Sequence, residues 1–189
     1  MGKLKRPILG AMLWSGMILL GACGSDDAGE DNSQNEFSIS GAVQKGPFIV
    51  GSTVTINQLS TTGANTDSTI VTTTTDDLGS FKFSTQNQGL VQISSNGYYR
   101  NEITGELSEG TLTLRSIYNV SLENEQQAYI NLLTHITSNR ILQLIQSEGL
   151  SYALAQAQAE AEFLTTFSSV VPNEAEENFT SLSIFNNSN

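Results

Sequence analysis

Residues Thr75–Ser84 read "TDDLGSFKFS". The two aspartates can accept amide hydrogens in a tight turn, and Gly79 can take a positive φ that other residues disfavour. Directly afterwards Phe81 and Phe83 flank Lys82 at period two. Both rings therefore fall on one face of a strand and the lysine on the other. The same grammar repeats on either side. "FSISGAV" (37–43) sets Phe37, Ile39 and, past a glycine, Val43. "STVTINQL" (52–59) sets Val54, Ile56 and Leu59, and "STIVTTTT" (68–75) is a β-branched run. "LVQISS" (90–95) and "TLTLRSIYNVSL" (111–122), with Leu112, Leu114 and Ile117, continue the pattern. Turn signals separate them: Gly46-Pro47, Thr62-Gly63, Asp76-Asp77-Leu78-Gly79, Asn96-Gly97 and Thr104-Gly105. About seven short strands punctuated in this way predict a β-sandwich over residues 37–121.

From Gln126 the apolar period changes. "NLLTHITSNRILQLIQSEG" (131–149) places Leu133, Ile136, Ile141, Leu144 and Ile145 near one helical face. Gly149 stands where a C-cap glycine belongs and Ser151 where an N-cap belongs. The alanine-rich run that follows sets Leu150, Leu154, Ala157, Ala161, Leu164 and Phe167 in a stripe, and Pro172 ends it. The expectation is a helical hairpin over 126–170, packing on the sandwich. Residues 171–189 read as an irregular segment with an apolar cluster of Phe179, Leu182, Ile184 and Phe185. That ending is also consistent with an N-terminal piece of a longer protein.

The "TDDLGSFKF" turn, the strand "LVQISS" and then Gly97-Tyr98-Tyr99 together resemble carboxypeptidase regulatory-like domains, also called transthyretin-like or prealbumin-like sandwiches, over roughly residues 37–115. In those domains a T-D-x-x-G-x-F hairpin precedes a strand ending in G-Y. The resemblance implies an α+β chain: an antiparallel transthyretin-like β-sandwich followed by an α-helical hairpin. It also implies a mostly non-catalytic module that spaces, aids folding or binds, and it brings no metal or substrate residues. With "SGAVQKGPF", "GYYRNEITGE" and "LTH" ahead of an alanine-rich helix, the chain is similar to a group of bacterial surface lipoproteins.

The N-terminus agrees. Lys3, Lys5 and Arg6 precede an uncharged apolar run from Ile8 to Ala22, too short for a comfortable membrane span but right for a signal over residues 1–22. Leu20-Gly21-Ala22-Cys23 resembles the lipobox of bacterial lipoproteins, which implies a diacylglyceryl group on the Cys23 thiol, cleavage before Cys23, and a further palmitate-like acyl chain on the amine that cleavage frees. Several acyl chains hold firmly where one holds marginally. Cys23 is the only cysteine, so disulfides contribute no stability. Gly24 rather than aspartate after the cysteine suggests the outer membrane of a Gram-negative host. Residues 23–36 contain almost no apolar side chain and read as an acidic tether. Asp26, Asp27, Glu30 and Asp31 lie within it but lack the spacing of a calcium loop.

Without residues 1–22, which hold Lys3, Lys5 and Arg6 and no acid, five basic residues face nineteen acidic ones, a net charge of about −14. That surface repels nucleic acid and excludes it as a partner. The single histidine, His135, reads as a capping or surface residue. No zinc set can be assembled around it, and no G-x-S-x-G elbow, phosphate loop or dinucleotide motif occurs. Glu102, Glu106 and Glu109 in "RNEITGELSEG" form the one carboxylate group to weigh as a calcium or glycosidase pair. A solvated acidic loop is the plainer reading, and Tyr98 and Tyr99 read as strand-end packing. The sequence thus supports a non-enzymatic, lipid-anchored envelope module with no cofactor. Two alternatives stand beside it: a fragment of a surface hydrolase acting on polysaccharide or peptide, and an oligomerising or adhesive protein working through its apolar C-terminal cluster.

Overall fold

The computed structural model describes residues 36–123, 125–169 and 178–185. Among these residues eight strands run in chain order: β1 Phe37–Gln44, β2 Thr53–Leu59, β3 Asn65–Thr73, β4 Ser80–Thr85, β5 Gly89–Gly97, β6 Leu112–Val120, β7 Glu125–Gln127 and β8 Ile130–Asn131. Two helices follow, α1 Leu132–Glu148 and α2 Tyr152–Thr166. The class is α+β, with two sheets in a sandwich-like arrangement.

One sheet has the order β3-β2-β5-β6, antiparallel throughout. In the other, β4 pairs antiparallel with β1, and β7 and β8 line the far side of β1. The period-two residues meet between the sheets. Phe37, Ile39, Val43, Phe81 and Phe83 come from one side, and Val54, Ile56, Val91, Ile93 and Leu114 from the other. The rings of Phe81 and Phe83 stack with centroids 6.5 Å apart, as two aromatics on one strand face must. Burying each side chain of this size contributes about 1.5–3 kcal/mol.

The opening turn forms as its residues dictate. Asp76 Oδ1 accepts the amides of Leu78 (3.0 Å) and Ser80 (2.9 Å), and Gly79 adopts φ +77°. A Cβ at Gly79 would also collide with the Val43 carbonyl, so the position tolerates only glycine.

Two expectations are corrected. The sheet that holds β1 is not purely antiparallel: β1 runs parallel to β7 (Ser38↔Glu125 to Ser40↔Gln127) and to β8 (Val43↔Ile130, Gln44↔Asn131). These strands occupy residues 125–131, so the opening of the segment read as a helical hairpin is sheet instead. Strands of three and two residues are too short to show a period.

The helical faces are the second correction. α1 has the expected stop, with Gly149 closing it at φ +67°, but it starts later than expected, at a capping box in which Asn131 Oδ1 accepts the Thr134 amide and Thr134 Oγ1 accepts the Asn131 amide, both at 2.9 Å. Its buried residues, however, are Thr134, Thr137, Ser138, Ile141, Leu144 and Ile145, while Ile136 is 52% exposed. α2 buries Ala155, Ala159 and Glu160. Leu154 and Phe167 of the stripe are exposed, as are Ala157 and Ala161. Ser151 stands at the N-cap but makes no side-chain bond there. Ile141, Leu144, Ile145, Ala155 and Ala159 join Leu59, Leu90 and Ile117 from the outer face of the β3-β2-β5-β6 sheet in a second core. Small alanines let α2 approach closely, and Arg140 Nε ties the helices through Glu162 Oε2 at 2.7 Å.

The helices also finish the sheet. β6 is the end strand of its sheet. Its Arg115 carbonyl accepts a hydrogen bond from Thr134 Oγ1 and its Ile117 carbonyl one from the Tyr152 hydroxyl, each at 3.0 Å. Hydroxyls replace the missing neighbour strand, which explains why Thr134 of α1 turns inward there, whereas Thr137 and Ser138 bond the Leu133 and His135 carbonyls of their own helix.

Candidate functional site

At one end of the sandwich three connecting loops lock together. "QKGPF" leaves β1, and Gly46 lies so close to the Arg100 carbonyl that a Cβ has no room. The Arg100 amide donates to the Pro47 carbonyl (2.9 Å) and the Ile49 amide to the Tyr98 carbonyl (3.1 Å). Asp77 bridges all three loops: Oδ1 accepts the Val50 amide at 3.1 Å and Oδ2 meets Arg100 Nη2 at 3.2 Å. The Val50 amide and the Arg100 guanidinium hold the Asp77 carboxyl below its ordinary range. Burial pushes the neighbouring Asp76 up, but the amide and hydroxyl of Ser80 and the amide of Leu78 outweigh it and leave the pKa lowered.

Beyond this clasp the chain folds into a hairpin tip. Asn101 Oδ1 accepts the amides of Ile103 (2.9 Å) and Thr104 (3.3 Å), and the Ser108 amide returns to the Tyr99 carbonyl (2.9 Å). Tyr99 stacks on Phe48 with centroids 6.1 Å apart and lies beneath Lys45, whose Nζ is 5.1 Å from the ring. Tyr99 is therefore strand-end packing, as its place after Gly97 suggested, whereas Tyr98 is 41% exposed.

The carboxylates of "RNEITGELSEG" do not act together. Glu102 Oε2 accepts the Gly46 amide at 3.2 Å and Oε1 pairs with Lys45 Nζ at 3.4 Å, so Glu102 clips the loop base. It lines a mostly apolar groove of about 360 Å³ with Leu132, Leu133, Leu182 and Ile184. Glu106 and Glu109 line a different groove of about 490 Å³ beside Tyr99, Asn101 and Ser108. His135 lines neither. It sits on the first turn of α1, where burial and then the nearby Arg115 lower its pKa, and its Nδ1 has no hydrogen-bond partner. Among the described residues no group of three or more His, Cys, Asp or Glu is placed to hold a metal ion. Cys23, with Asp26, Asp27, Glu30 and Asp31, lies outside the described residues.

A second polar assembly escaped the sequence reading. Gln44, 2% exposed, donates from Nε2 to Ser183 Oγ (3.2 Å) and accepts the Ile184 amide at Oε1 (3.0 Å). Asn131 Nδ2 donates to the carbonyls of Phe179 (2.8 Å) and Leu182 (3.2 Å). Glu160, 2% exposed, accepts the Phe179 amide (3.2 Å) and Gln156 Nε2 (2.9 Å). Phe179 itself is 1% exposed and meets Phe163 edge-on at 5.6 Å. The apolar C-terminal cluster is thus split: Phe179 is consumed inside, and Ile184 and Phe185 remain about half exposed. No sequence signal separates these buried polar residues from solvated ones, because their partners lie far away along the chain.

In comparisons with known proteins, no family model matches the chain and no curated protein does.

Proposed function

We propose that this protein is a non-catalytic, lipid-anchored module of the bacterial cell envelope. Acylated Cys23 holds it at the outer membrane, and its clasped loop end is offered to a protein or glycan. The observation that carries the reading is the dispersal of the chemistry-bearing side chains. Glu102 is spent on Lys45 and the Gly46 amide, Glu106 and Glu109 line another groove, and His135 stands on a helix apart from both. The three loops are pinned by Asp77 and by backbone bonds, which suits a preformed recognition surface. The two sheets and the turn at Asp76–Gly79 support a transthyretin-like sandwich of the carboxypeptidase regulatory-like kind. None of this depends on a metal or other cofactor.

The anchor is tested by feeding labelled palmitate to a Gram-negative host expressing the chain. The label is expected on the parent and absent from Cys23→Ser, with the variant released from the membrane fraction. An unlabelled parent, or a variant that still pellets with outer membranes, ends the reading.

A further inference from the structure

Each sheet of the sandwich has two edges, and three of the four are guarded. The β6 edge is closed by the Thr134 and Tyr152 hydroxyls. The β7–β8 edge is short and covered by residues 178–185, with the Tyr129 amide bonded to the Thr180 carbonyl at 3.0 Å. β4 is six residues long and carries exposed Lys82 at its middle. A short strand and an edge lysine are common defences against pairing with another chain.

Among the described residues β3 has none of these defences along its regular half. Its ladder to β2 shifts register between the Asn57↔Thr69 and Leu59↔Asn65 pairs, so the irregularity is confined to residues 66–68. From Thr69 to Thr73 the ladder is regular, and β2 is the only strand paired with it among the described residues. That stretch is Thr-Ile-Val-Thr-Thr, β-branched throughout, without charge or proline. Val71 at its centre is 64% exposed on the outer face of the sheet.

We propose that Thr69–Thr73 of β3 pairs antiparallel with the same stretch of a second copy of this chain, joining two four-stranded sheets into one. The stretch suits itself. A two-fold axis at Val71 sets Val71 against Val71, Ile70 against Thr72 and Thr69 against Thr73 of the other copy. Valine and threonine pairs of this kind stabilise antiparallel ladders, and an isologous contact closes at two copies. Charge favours the same place. A chain of net charge −11 repels its copy, and this uncharged stretch is where two such chains can meet. A five-residue ladder buries little surface, so the dimer is weak and strengthens as salt screens the repulsion.

Sedimentation of the full chain in mild detergent, over a range of concentration and salt, tests this directly. The parent is expected to move from monomer towards dimer as either rises. Val71→Thr keeps the β-branched edge and should behave likewise. Val71→Lys sets two ammonium groups face to face and should stay monomeric while unfolding at the parent's midpoint. Val71→Cys in the Cys23→Ser background should oxidise to a covalent dimer, whereas Ser84→Cys on the lysine-guarded β4 edge should not. A parent that stays monomeric at every concentration and salt overturns the proposal. So does a Val71→Lys chain that associates as the parent does, or association lost on Ile184→Ser alone.

Discussion

The two ends of the β3-β2-β5-β6 sheet solve one problem in different ways. At β6 the outward carbonyls of Arg115 and Ile117 meet hydroxyls sent in by α1 and α2, and Ile117 packs under both helices. At β3 the outward backbone is hydrogen-bonded to no other strand among the described residues, and the side chains from Thr69 to Thr73 are all β-branched. The helical hairpin is therefore more than a cover for apolar surface; it replaces a missing strand on one side only. An edge strand with nothing beside it is an invitation to pair, whereas one capped by side-chain hydroxyls is not.

The covered end should be the costlier one to disturb. Leu144→Ala removes a fully buried side chain from the seat of α1 on Leu90 and Ile117, and should cost about 2–5 kcal/mol in urea unfolding. Tyr152→Phe keeps the ring and strands the Ile117 carbonyl, which should cost about 1–3 kcal/mol. At the open end Val71→Thr exchanges one exposed side chain for another and should change stability by less than about 0.5 kcal/mol. If Val71→Thr destabilises the monomer as much as Tyr152→Phe does, the two ends are not different in kind.

A smaller effect belongs to the covered end alone. His135 lies beside Arg115 and is partly buried, and its pKa is lowered from 6.5. The unfolded chain then binds a proton near pH 6.5 that the folded chain refuses. Stability should fall as pH drops below 6.5, and the loss should level off once pH passes the lower folded value. His135→Gln should flatten that slope between these limits, as read from urea midpoints against pH. An unchanged slope would mean that His135 is as solvated when folded as when unfolded. Fainter still is the Arg140–Glu162 pair between the helices. Hydrogen bonds from Arg140 and Gln158 bring the Glu162 carboxyl down to about 2, so this solvent-facing tie should persist until pH falls to that region.

What the sequence made legible follows from distance along the chain. Phe81 and Phe83 announce their strand because its period lies within six residues, and the Asp76–Gly79 turn is specified by its own side chains. Gly149 closes α1 by a rule equally local. The inward faces of the helices were not legible. Thr134 is buried because Arg115, nineteen residues earlier, needs a donor, and Glu160 is buried because the Phe179 amide arrives nineteen residues later. β7 and β8 pair in parallel with β1, more than eighty residues away, through strands too short to carry any period. The candidate site divides in the same way. Tyr99 was placed by its neighbours, whereas the Asp77–Arg100 clasp and the separation of Glu102 from Glu106 and Glu109 depend on how three loops meet.

The contrast between the edges is read most directly by amide hydrogen exchange of the full chain at several protein concentrations. Amides of β6 should be protected equally at every concentration, while those of Thr69–Thr73 should exchange quickly in dilute solution and slow as the chain is concentrated. Equal protection of the two strands in the most dilute sample, or β3 amides indifferent to concentration, would contradict an open edge awaiting its own copy.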